Sequence, residues 1–174
     1  MAAEPGVAPN GVAKATFWKT SKKKNKYLFQ KIKLCYKMMK ELILSIVIAW
    51  LFGKIIKAII DWTYDKKVSL KVLFYDGGMP STHTAAVVSL TTALFLEQGL
   101  SALFVLSTVL ALIVINDALK VRWIVGEQSK TLNQLMKDSK DYKKLNERVG
   151  HKPAEVIIGL IIGVIVPIIV YAVF

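Results

Sequence analysis

From Val156 to Phe174 the chain reads VIIGLIIGVIVPIIVYAVF, without a charged residue. It is the clearest membrane span in the sequence, and Gly159 and Gly163 give it a G-x-x-x-G packing face. The composition around it agrees: 54% of the 174 residues are hydrophobic, yet the formal net charge is +12. Charge and apolarity are segregated, because residues 1–40 hold ten Lys and one Glu. This is the layout of a small membrane protein with basic flanks.

Working back from that span, three more are expected. Leu42 to Ile60 would rise roughly 28 Å as a helix against a hydrocarbon core of about 30 Å. It contains Lys54 and Lys57 on one face. A Lys at membrane depth costs about 2.5 to 3.5 kcal/mol on insertion scales, so one or both should snorkel or face a polar cavity. Met79 to Leu96 carries six small hydroxyl residues, which suit close packing inside a bundle. Leu100 to Ile115 completes the set and ends at Asn116 and Asp117. The expected fold is all-α, a polytopic bundle of about four spanning helices with amphipathic interfacial helices.

The remaining segments are polar. Residues 1–26 read as a disordered basic tail, and 27–40 as an amphipathic interfacial helix in which Leu28, Ile32, Cys35, Tyr36 and Met39 recur among Lys31, Lys33, Lys37 and Lys40. The latter reads equally as an extension of the next helix. The membrane-embedded domain is 41–174. Its polar cap, 120–152, has Leu132, Leu135, Met136, Tyr142, Leu145 and Val149 at a rough helical period, predicting one or two amphipathic helices stopped by Gly150.

Composition excludes several function classes. One Cys (Cys35) leaves no internal disulfide and no multi-Cys metal site. No carboxylate cluster stands in for one, so neither metal nor cofactor is expected. The basic residues alternate with bilayer-length apolar stretches, which points to anionic lipid headgroups as partners rather than nucleic acid. A transporter would need more length and an inverted repeat. A homo-oligomer is compatible with this layout. Orientation is ambivalent: the tail and the cap are both basic, yet three spans separate them, so the positive-inside rule cannot satisfy both.

Four spans bring the segments before the second and fourth to one side of the membrane, and these carry the only two His. In the first, Asp76-Gly77-Gly78-Met79-Pro80-Ser81-Thr82-His83, two Gly let backbone N–H groups converge on an anion at a helix N-terminus. The same residues also describe a Gly-Pro turn that merely starts a helix. In the second, His151 and Glu155 lie four apart, so the carboxylate can fix the imidazole tautomer. A loop His beside Pro can equally be structural. Arg122 and Arg148, the only two Arg, fall near these segments, where a guanidinium would bind phosphate bidentately.

Pro80-Ser81-Thr82-His83 resembles the Pro-Ser-Gly-His signature of the type 2 phosphatidic acid phosphatase superfamily, which includes vanadium-dependent haloperoxidases. His151 to Gly159 is similar to that superfamily's terminal His-x-Pro-x-Asp-Val-x-x-Gly. The closer resemblance is to its divergent, haloperoxidase-related branch of small membrane proteins, carried by Gly77 to Ala85, Val121 to Gln128 and Val149 to Pro153. The resemblance covers roughly Leu51 to Val166.

That resemblance implies a metal-independent lipid phosphate or diphosphate phosphatase, with a polyprenyl carrier as one such substrate. It makes His151 the phosphoryl-accepting nucleophile, Glu155 its orienting partner and His83 the acid that protonates the leaving oxygen. Ser81 and the Gly77 and Gly78 amides would bind phosphate oxygens, and Lys57 would take the place of the first-motif Lys. The chain departs from the wider pattern: Tyr64 occupies the first-motif Arg position, Lys144 and Leu145 stand where Ser-Arg is usual, and Glu155 replaces Asp. Arg122 or Arg148 would then complete the clamp. The rival expectation is a membrane protein that binds a lipid headgroup, or acts as a scaffold, without hydrolysis.

Overall fold

A computed structural model describes residues 11–65, 77–139, 142–147 and 149–174. Among them the chain is helix and loop, with no strand. It divides into two compact units, Met1–Met39 and Lys40–Phe174.

Helix α1 runs from Gly11 to Asp65. Residues 1–10 of the expected disordered tail lie outside the described residues; residues 11–26 are helical, which corrects the expectation there. No Gly or Pro interrupts residues 12–52. Ala, Lys, Leu and Met are good helix formers, so a helix nucleated elsewhere extends through them at little cost. Over residues 27–40 the helix is continuous with the span that follows.

In the second unit, α1 turns a stripe of every fourth residue inward: Glu41, Ser45, Ala49, Gly53 and Lys57 are all buried. A Cβ on Gly53 would stand 3.1 Å from Thr82 Cγ2, so the missing side chain lets α1 approach the start of the next helix. That helix, α2 (Thr82–Gln98), is capped by Ser81, whose side chain accepts from the Thr84 amide. A tight turn at Gly99 and a Ser101 cap lead into α3, Ala102–Asn116. The antiparallel pair is pinned near this turn by Phe95 and Phe104, with ring centroids 5.3 Å apart.

The helical path does not stop at Asn116. A π-helical turn, Asp117–Val121, passes it on to α4, Arg122–Leu135. The last helix, α5, spans Pro153–Val173 and lies along α2 in parallel. Its two Gly make this possible: a Cβ on Gly159 would lie 2.5 Å from the Ser81 carbonyl oxygen, and one on Gly163 2.7 Å from Val88 Cβ. The G-x-x-x-G face is therefore an internal seam.

Among the described residues, three stretches are long and apolar enough to cross a membrane: Ser21–Thr63, Ala102–Leu135 and Pro153–Val173. The second expected span, α2, has 17 residues and rises about 25 Å, enclosed between α3 and α5. Packing is inverted relative to a water-soluble core. Ala49, Ala85, Ala93, Ser45, Ser81 and Ser89 are fully buried, whereas Leu106, Leu112, Ile113, Ile157 and Ile169 are more than half exposed. Small residues inside and large aliphatics outside suit a hydrocarbon solvent. The protein is a multi-pass integral membrane helix bundle.

The polar cap differs from expectation. α4 is amphipathic helix, but residues 142–147 and 149–150, containing Leu145 and Val149, are irregular, and Gly150 ends no helix. Asn133 holds this return segment: its side chain accepts from the Leu145 amide at 2.9 Å and donates to the Leu145 carbonyl at 3.0 Å and to Glu147 Oε1 at 2.6 Å. Backbone groups satisfied in this way need no helix. Gly126 makes room, since a Cβ there would be 2.7 Å from the Val149 carbonyl oxygen.

Candidate functional site

The return segment delivers His151 to the end of the bundle where α2 and α5 begin. Gly150 allows the final bend. Its φ is +89°, and a Cβ would meet the Trp123 amide nitrogen at 2.5 Å, so both strain and space demand glycine. The His151 amide then donates to the Ala118 carbonyl at 3.1 Å. That acceptor exists because of the π turn: the Arg122 amide bonds back to Asp117 rather than Ala118, leaving the Ala118 carbonyl available.

On the side-chain side, His151 Nδ1 lies 2.9 Å from Glu155 Oε2, and the ring is only 4% exposed. Glu155 also accepts from the Lys152 amide at 3.2 Å, so one carboxylate both caps α5 and orients the imidazole. With Nδ1–H donated to the carboxylate, the lone pair of the ring is on Nε2. The two His segments are joined directly. The Ser81 amide donates to the Glu155 carbonyl at 3.0 Å, which puts the N-terminal turn of α2, with His83, beside that of α5.

A cavity of about 610 Å³ opens at this end. Its floor includes Gly77, Gly78, His151 and Glu155, and α4 contributes Trp123, Glu127 and Lys130. Lys57 is 3% exposed, and its Cε is 3.7 Å from where a Gly78 Cβ would stand. It thus sits against the Gly77–Gly78 loop but is not among the residues that line the cavity. Lys54 is also buried and lies over the Trp50 ring, 5.6 Å from its centroid.

Not every expected residue reaches the cavity wall. Ser81 is fully buried and shares a 2.9 Å hydrogen bond with Thr84 Oγ1, so it serves as the α2 cap. His83 is half-buried on the first turn of α2 and does not line the cavity. Arg122 lies on the π-turn boundary with Nε 2.6 Å from Asp117 Oδ2, also outside the lining. Arg148 and the side chain of Tyr64 lie outside the described residues.

Other wall residues escaped the sequence reading: Asp61, Glu127, Lys130 and Glu147. Asp61 continues the four-residue stripe through Gly53 and Lys57, a signal present in the sequence. Glu127 and Lys130 pair with each other across one helical turn. Their direction was hidden because it depends on where Glu147, Val149 and Gly150 pass.

A model of the Divergent PAP2 family matches residues 38–166, a range that contains every described residue of this site. The chain belongs to the Divergent PAP2 family. It is also similar to an uncharacterized membrane protein, YuiD, of Bacillus subtilis (strain 168), at 36% identity over 144 residues, 73% of this chain and 91% of that protein. No solved structure matches the chain. Family membership covers α1 from residue 38, the Gly77–His83 segment, the π turn and most of α5; residues 1–37 lie beyond it.

Proposed function

We propose that this Divergent PAP2 protein is a lipid phosphate or diphosphate phosphatase that works through a phosphohistidine on His151. The observation that carries the reading is the buried His151 imidazole, held by Glu155 at 2.9 Å and lining a cavity with the Gly77–Gly78 loop. In this scheme Nε2 attacks phosphorus, an N–P bond forms, and the P–O bond to the lipid breaks as the departing oxygen takes a proton from His83. Water then displaces the phosphate, the N–P bond breaks, and a proton returns to His83. Lys57 and the amides of Gly77 and Gly78 neutralise the phosphoryl oxygens. Polyprenyl phosphates fit a site at the end of a membrane bundle, because their headgroup cannot leave the interface.

A second reading, a headgroup-binding protein without turnover, draws on the Arg122–Asp117 pair, which engages the expected clamp elsewhere. The test is inorganic phosphate release by purified protein from polyprenyl phosphate and diphosphate. Vanadate is expected to inhibit, and acid-labile phosphate is expected to be trapped on the wild type but not on His151→Ala. Headgroup binding without phosphate release would replace the first reading with the second.

A further inference from the structure

A phosphohistidine has to be hydrolysed, and water is a weak nucleophile unless a positioned base takes its proton as it attacks. His83 does not line the cavity, but four carboxylates do: Asp61, Glu127, Glu147 and Glu155. Their surroundings separate them. Glu155 commits Oε2 to the His151 ring and the Lys152 amide. Glu127 closes on Lys130 at 2.5 Å. No hydrogen bond to another described residue orients Asp61.

Glu147 is both held and available. The Asn133 amide donates to its Oε1 at 2.6 Å, and Oε2 makes no further bond among the described residues. Its backbone is fixed as well. Asn133 clasps both the amide and the carbonyl of Leu145, just before it. The Glu147 carbonyl oxygen would stand 3.1 Å from a Cβ on Gly126, so the segment rests on α4 at this point. The same return segment goes on to His151, whose amide is held at Ala118. One anchored stretch of chain thus presents both groups to the cavity, and rigid support of this kind is what keeps a base in working geometry.

We infer that Glu147 is the general base for the second half of the reaction, an assignment that rests on the phosphohistidine reading. Water attacks phosphorus, a new P–O bond forms, and one proton of the water passes to Glu147. The N–P bond breaks and its electron pair returns to Nε2, leaving a neutral imidazole with its proton still on Nδ1. Glu147 then gives its proton to solvent, from which His83 regains the one it lost to the lipid oxygen. The first half does not use Glu147, because a departing oxygen needs an acid and not a base.

Rapid-quench kinetics on the purified full-length protein separate the two halves, with a polyprenyl monophosphate labelled distinctly in its chain and its phosphate. Glu147→Gln keeps an oxygen for the Asn133 amide while removing the base. The expected result is a burst of prenyl alcohol at the wild-type rate, then phosphate release slowed about 10²- to 10⁴-fold, with acid-labile phosphate accumulating on the protein. Added formate should restore phosphate release to Glu147→Ala, where the missing side chain leaves room for it, and not to Glu147→Gln. Normal phosphate release by Glu147→Gln would overturn this inference and leave the phosphohistidine standing. So would equal slowing of alcohol and phosphate, which would make Glu147 a support for the loop, or accumulation of phosphoprotein in Asp61→Asn alone. A wild type that releases no phosphate would overturn the phosphatase reading and this inference with it.

Discussion

The Ala118 carbonyl accepts the His151 amide at 3.1 Å, although an α-helix would have committed it to Arg122. A single π turn thus converts the middle of a long helix into a docking point for a loop 30 residues later in the chain. The Asp117–Arg122 ion pair bridges the same turn. The residue that the sequence offered as a phosphate ligand is therefore found holding the element that seats the histidine.

The seat predicts a steep penalty at Gly150. Gly150→Ala must accommodate a φ of +89° and a Cβ 2.5 Å from the Trp123 nitrogen. A loss of about 1 to 3 kcal/mol is expected, read as a lowered unfolding midpoint in detergent. An unchanged midpoint would show that the loop does not press on α4.

Glu155 can be separated from the fold by Glu155→Gln. Oε2 faces Nδ1 and also accepts from the Lys152 amide, so the Gln oxygen takes that place and keeps the tautomer, while the negative charge that stabilises the ring as it becomes cationic on attack is lost. Phosphate release should fall by about 10²-fold, the scale of acid–base contributions, with a near-normal melting profile. Equal activity of both proteins would deny the carboxylate's charge a role.

His83 can be tested through its leaving group, which is informative because it stands outside the cavity lining. An alkoxide leaving a monophosphate needs protonation, while a phosphate leaving a diphosphate, with a second pKa near 6, departs with little help. His83→Ala should lose about 10²- to 10⁴-fold on a lipid monophosphate and clearly less on the matching diphosphate. Matching losses on the two substrates would withdraw the proton from His83.

Ser89 bears on stability alone. Its hydroxyl is fully buried without a hydrogen-bond partner, a loss of about 1 to 3 kcal/mol for an unsatisfied polar group. Ser89→Ala should raise the unfolding midpoint in detergent. A lowered midpoint would show that the hydroxyl finds a bond in solution.

Residue order alone was enough for the membrane class, the last span and the family. Val156–Phe174 has no charge, the three ordered motifs match, and Gly159 and Gly163 pack closely as their spacing implies. These are local properties, legible because hydrocarbon solvent and close packing act on each segment as it stands. Tertiary structure alone decided the π turn, the irregular path of residues 142–147 and 149–150 and the partner of Arg122. The helical period of Leu145 and Val149 was misleading because Asn133, twelve residues before Leu145, supplies the backbone bonds that a helix would have made. The carbonyl that holds His151 is likewise freed only by a register shift and used only by a distant amide. No window of sequence short enough to show a period contains both partners of such a bond.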